Sequence, residues 1–106
     1  MKPHLGDDSY VEAHVYLSYR RDGIRFLHDR KYPDGLGNHR YDFYLVDEDK
    51  YVEVTGYNKY WSQWKNYLAK IDRKRQFVQQ RGSQFEFIRI FLSPEQIDVV
   101  KSNIAS

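Results

Sequence analysis

Apolar positions along this chain follow a helical rhythm first and an alternating one afterwards. Val11, Val15 and Tyr19 stand four residues apart, the spacing of one helix face. Ser9 with Glu12 three residues on has the form of a capping box. A helix is therefore predicted from Ser9 to about Arg21, ended by Asp22-Gly23. Ile24–His28 is a short strand candidate, and Pro33–Asn38 is dense in turn-forming residues. His39–Val46 and Tyr51–Gly56 alternate on either side of the polar turn Asp47–Lys50, which reads as an antiparallel hairpin. Trp61, Trp64, Leu68, Ile71 and Val78 then recur at steps of three, four or seven. That is the buried face of a helix from about Tyr60 to Gln80, stopped by Gly82. Phe85–Leu92 is a fourth strand, and Ser93-Pro94-Glu95 caps a short last helix over 96–104 with Pro at its first position.

The order helix, three strands, helix, strand, helix defines an α/β fold. A helical crossover between the third and fourth strands lets them run parallel, giving a mixed four-stranded sheet flanked by helices. At 106 residues, positions 1–106 make a single domain, either alone or excised from a longer protein. Aromatic residues reach 17%, with ten Tyr and two Trp. One small core cannot bury them all, so some rings are expected near the surface, where they suit stacking on bases or packing on a partner. The absence of Cys removes disulfides and thiolate metal sites and makes a cytosolic setting the default. Met1–Ser9 has no apolar signal core, and no apolar run is long enough for a membrane span.

Net charge is only +2, so the distribution of charge says more than its sum. Acids gather at Asp7–Asp8 and Asp47–Asp49, whereas Lys59–Arg81 is basic with Asp72 as its lone acid. Lys59, Gln63, Asn66, Lys70, Lys74 and Arg81 form a polar stripe beside the apolar face of the long helix, with Arg73 adjacent. Such a stripe is either a solvated face or a surface that tracks phosphates.

The candidate chemistry lies in the hairpin. Side chains alternate across a strand, so Phe43 and Leu45 fall on one face and Asp42 and Tyr44 on the other. Val52 and Val54 are likewise opposed to Tyr51, Glu53 and Thr55. Pairing the apolar faces brings Asp42 and Glu53 together in mid-sheet. Acids inside apolar, aromatic strands need a reason. Two close carboxylates repel, and a hard divalent cation, Mg²⁺ or Mn²⁺, relieves the repulsion. An ion held there can activate water at a phosphodiester.

The segments Arg40-Tyr41-Asp42-Phe43-Tyr44-Leu45 and Tyr51-Val52-Glu53-Val54-Thr55-Gly56, with Asp72-Arg73-Lys74 in the following helix, resemble the PD-(D/E)XK nuclease core. The likeness is greatest to the phage and intron homing endonucleases related to the very short patch repair endonuclease. It spans about Ser9 to Leu92. It implies a restriction-endonuclease-like αβββαβ core with an extra C-terminal helix. It implies a Mg²⁺-dependent endonuclease that acts on double-stranded DNA in the cytoplasm of a bacterial or phage-infected cell. Asp42 and Glu53 resemble the metal-binding acids, the carbonyl of Val54 a backbone ligand, and Glu12 an additional acid. Thr55 departs from the pattern, standing where the motif has Lys, and the His that relatives place slightly later falls at Lys59. Lys59 or Lys70 is then expected to supply the cation. Lys59, Lys70, Arg73, Lys74 and Arg81 are the expected DNA-binding residues.

Each assignment has a plainer counterpart. Asp42 and Glu53 can be solvated residues on an open sheet face, and Glu12 can serve only the helix cap. The four His, at 4, 14, 28 and 39, lack metal-ligand spacing as a set, although His39 lies close enough to Asp42 in sequence to act as a base. A non-catalytic nucleic-acid-binding or assembly module on a nuclease-like scaffold is the rival reading of the whole chain, with Thr55 marking lost activity. A domain this small reads a long site only as a homodimer or beside a separate DNA-binding domain.

Overall fold

The computed structural model describes residues 7–33, 36, 38–56 and 62–105. Seven elements follow one another: α1 (Asp7–Arg21), β1 (Phe26–Lys31), β2 (Arg40–Leu45), β3 (Lys50–Thr55), α2 (Trp64–Gln80), β4 (Gln84–Arg89) and α3 (Pro94–Ala105). The sheet order is β1-β2-β3-β4. β1 and β3 are antiparallel to β2, and β4 is parallel to β3 after the α2 crossover. The α/β class, the mixed four-stranded sheet and the three helices thus match the expected order.

Two apolar clusters hold the layers. Val11 and Val15 of α1 pack on Phe43, Leu45, Val52 and Val54, the apolar face expected from the alternation. Full burial of a ring such as Phe43 contributes about 1.5–3 kcal/mol relative to leaving it exposed. The second cluster gathers Tyr32, Tyr41 and Val78 with Leu27, Tyr44, Tyr51, Phe77 and Phe85. The side of the sheet that carries Tyr51, Glu53 and Thr55 is therefore not an open face. α2 helps cover it, and Glu53 and Thr55 are only 2% and 0% exposed.

Several boundaries differ from the sequence reading. α1 begins at Asp7, so Ser9 lies inside the helix and cannot be its N-cap. The capping box sits instead on α3, where the Gln96 N–H donates to Ser93 Oγ at 3.1 Å and the Ser93 N–H to Gln96 Oε1 at 2.8 Å. β1 is shifted toward the C-terminus, because its register with β2 runs from Phe26↔Leu45 to Lys31↔Arg40. Ile24 packs on the α1-side core without belonging to the strand. β4 ends at Arg89, though the Ile90 N–H still donates to the Thr55 carbonyl at 3.0 Å. Leu68 is 38% exposed and leaves the expected apolar stripe of α2. The stripe that faces the protein is Trp64, Tyr67, Ile71, Lys74 and Val78, with Ile71 and Val78 fully buried.

Helix ends are set by glycines where expected. Gly23 and Gly82 have φ of +71° and +83°, a region that side chains disfavour. The following N–H groups of Ile24 and Ser83 close back on Tyr19 and Val78 carbonyls at 3.0 and 3.2 Å. The acidic turn is used structurally. Asp47 pairs with Arg25, Lys50 reaches Glu48 and Glu86, and Asp49 accepts from Tyr44 Oη and Ser83 Oγ. Among the described residues no helix is long and apolar enough to cross a membrane.

Candidate metal centre

The β2–β3 ladder runs Leu45↔Lys50, Tyr44↔Tyr51, Phe43↔Val52. Its continuation sets Asp42 opposite Glu53, and there side chains take over from backbone acceptors. The Asp42 N–H donates to Glu53 Oε2 at 2.9 Å, and the Val54 N–H donates to Asp42 Oδ2 at 2.8 Å. Each strand thus gives a backbone N–H to the other strand's carboxylate. The pairing of β1 with β2 is interrupted at the same level. Asp29, whose register partner would be Asp42, has φ +53°, and Arg40 binds both its carboxylate and its carbonyl. The strict alternation also breaks here. Tyr41 packs with Tyr32, Tyr44 and Tyr51, although a regular strand would set residues 41 and 44 on opposite faces.

Glu53 meets Lys74 from α2. The Lys74 ammonium donates to Glu53 Oε1 and, at 3.0 Å, to the Arg40 carbonyl. Only 12% of the Lys74 side chain and 3% of the Glu53 side chain are exposed, so the pair is desolvated. Burial is the largest influence on Asp42 and holds its carboxyl well above the usual range. Glu53 and Glu12 push it the same way, against the Val54 N–H and Lys74. Glu12 comes from α1, with Oε1 3.1 Å from His28 Nε2. The His28 ring stacks on Phe43 with centroids 4.9 Å apart. Glu12 therefore reaches into the field of Asp42 rather than capping its helix. The cleft beside it, about 580 Å³, is lined by Glu12, Tyr16, His28 and Asp29.

Among the described residues no group of three or more His, Asp or Glu is gathered closely enough to hold a metal ion by itself. The donor set is smaller: two carboxylates with Val54 tied to one of them. Mg²⁺ commonly takes only one or two protein carboxylates and completes its shell with water and phosphate oxygens. The local charge also fits. When Asp42 gives up its proton, the single cation Lys74 stands against two acids, and the site would favour a further cation. The residues present are therefore compatible with such an ion.

The basic residues divide. Lys70 and Arg73 are exposed on α2 and, with Lys74, depress the His39 pKa, which burial lowers most. These three cations thus face the start of β2. Arg81 lies at the far end of α2 with its guanidinium 4.5 Å from the Phe77 ring centroid. Lys59 and Trp61 lie outside the described residues. Lys74, placed by its sequence in the phosphate-facing stripe, is turned into the acid pair. The signal was its spacing: three residues after Ile71 and four before Val78, it occupies a core-facing position. His28 is the other residue that spacing did not flag, since its partner Glu12 is remote in sequence. No protein-family model matches the chain, and no curated protein or solved structure matches it either.

Proposed function

We propose that this chain is a metal-dependent endonuclease domain with a restriction-endonuclease-like αβββαβ core, hydrolysing phosphodiester bonds in double-stranded DNA. The reading extends to the catalytic domain of a homing endonuclease, working in the cytoplasm of a bacterial or phage-infected cell. The observation that carries it is the Asp42–Glu53 pair bridging β2 and β3, with Glu53 buried, Asp42 partly so and Lys74 against it. A solvated pair of surface acids has no need of backbone donors or a desolvated lysine.

Asp42, Glu53 and the carbonyl of Val54 are the groups that would hold Mg²⁺ or Mn²⁺. Bound there, the ion would lower the pKa of a coordinated water and offset charge on the scissile phosphate. Lys74 orients Glu53, and its ammonium is the cation that Thr55 does not provide. Placed at the acid pair, that ammonium is positioned to stabilise negative charge that grows in the transition state. Lys70 and Arg73 stand beside it for flanking phosphates, a role without base specificity. Glu12, fixed by His28, adds a third negative group toward Asp42 and favours a cation there. Recognition of a long target would come from a second copy of the chain or a separate DNA-binding domain.

The test is conversion of supercoiled plasmid to nicked or linear forms with Mg²⁺ or Mn²⁺, beside Asp42→Asn. Divalent-dependent cleavage that the substitution abolishes supports the reading. DNA binding without cleavage under any divalent ion would overturn it in favour of a non-catalytic binding module.

A further inference from the structure

Tyr32 follows β1 directly, with its N–H donating to the His39 carbonyl at 3.0 Å. Its ring is packed between Tyr41 at 5.4 Å, Tyr51 at 5.2 Å and Phe77 at 6.2 Å between centroids. The residue is only 4% exposed, yet its hydroxyl has no hydrogen-bond partner, alone among the buried side-chain polar atoms of the described residues. A buried hydroxyl without a partner is costly, and native proteins rarely keep one. Phenylalanine would fill the same space without that cost.

The surroundings of the hydroxyl say what it is kept for. Lys74 Nζ lies 5.7 Å from the Tyr32 ring centroid and binds Glu53 directly. After burial, the charges acting most on the phenol are those of Glu53 and Asp42, which hold it protonated. The hydroxyl is thus a donor on a ring that faces Lys74 and feels both acids, with neither of them as its acceptor.

We propose that the Tyr32 hydroxyl belongs to the acid site and donates its hydrogen bond to an oxygen ligand brought there with a divalent cation, a coordinated water or a phosphate oxygen. This rests on the metal-dependent reading of Asp42 and Glu53. Tyr32 is a positioning residue: it orients that oxygen and holds no ion itself. Outer partners of this kind typically change metal affinity about 10- to 100-fold when removed.

Mn²⁺ alone is the probe, titrated calorimetrically into the full chain as wild type, Tyr32→Phe and Asp42→Asn, with metal-free melting curves of each. The expected result is a Tyr32→Phe protein that melts at or above the wild-type temperature without metal and binds Mn²⁺ about tenfold more weakly. Asp42→Asn should bind no Mn²⁺. Equal Mn²⁺ affinity in wild type and Tyr32→Phe would overturn the assignment of Tyr32 while leaving the metal site standing. A lower metal-free melting temperature in Tyr32→Phe would also overturn it, because the hydroxyl would then have a partner in the fold. Absence of Mn²⁺ binding by the wild type would overturn both the assignment and the metal-dependent reading.

Discussion

Lys74 reaches Glu53 from the middle of α2, and the two form an ion pair on a sheet face closed over by that helix. The pair is desolvated on both sides, so its partners are not independently replaceable. Removing one member of a buried pair strands the other, at a cost of about 3–5 kcal/mol. Lys74→Met should therefore destabilise the metal-free protein by roughly that amount, read from denaturant unfolding. Lys74→Met combined with Glu53→Gln should recover much of the loss, because no lone charge remains. A single variant as stable as wild type would show that the pair is not desolvated.

Asp42 carries a pH signature. Its folded-state carboxyl is pushed up to about 9, chiefly by burial and then by Glu53 and Glu12, against about 3.9 in an unfolded chain. Between these values the folded state holds a proton that the unfolded state has lost. The contribution to stability is full below about pH 4 and is lost as pH rises through the folded-state value. Metal-free wild type should thus lose stability between pH 5 and about 9, and Asp42→Asn should flatten that fall. Melting curves across this range in a chelating buffer check it, and equal slopes in both proteins would contradict the raised carboxyl.

An ion that binds only the folded state stabilises it by mass action, about 2.7 kcal/mol at a hundred times its dissociation constant. Mn²⁺ should raise the wild-type melting temperature and leave that of Asp42→Asn unchanged. Because Asp42 must ionise to become a ligand, Mn²⁺ binding at neutral pH should also release close to one proton. Titration calorimetry in two buffers of different ionisation enthalpy measures this, and an identical heat in both would argue against it.

Lys70 and Arg73 are exposed on α2 toward His39 at the start of β2, whereas Arg81 lies on Phe77 at the other end of α2. Lys70→Ala and Arg73→Ala should each lower the salt slope of DNA binding by about one unit, equally for unrelated duplexes. Arg81→Ala should change it less. Affinity against salt concentration for two sequences is the check, and unchanged slopes in the first two variants would make this a solvated face.

The element order was legible because each segment carries its own period: Val11 with Val15, Phe43 with Leu45 against Val52 with Val54, Ile71 with Val78. The juxtaposition of Asp42 and Glu53 was legible too, since it needs only strand alternation and hairpin register. Burial of that face was not. Tyr32, Tyr41 and Phe77 are amphipathic or lie off the main stripes, and they form a cluster only once the strand break at Asp42 turns Tyr41 over. The role of Lys74 was hidden for a related reason. A lysine among solvent-facing lysines reads as surface, and its core-facing position has meaning only beside a buried acid. For Glu12, Ser9 offered a local partner in the sequence where the fold supplies His28 from another element.

The most direct measurement is single-turnover cleavage of supercoiled plasmid by the purified chain in Mn²⁺, with wild type and Asp42→Asn at equal concentration and equal folded fraction. Wild type should give nicked or linear product only when the divalent ion is present, and Asp42→Asn none above background. Cleavage of equal rate by both proteins, or none by a wild type that binds Mn²⁺ and DNA, would contradict the metal-dependent reading.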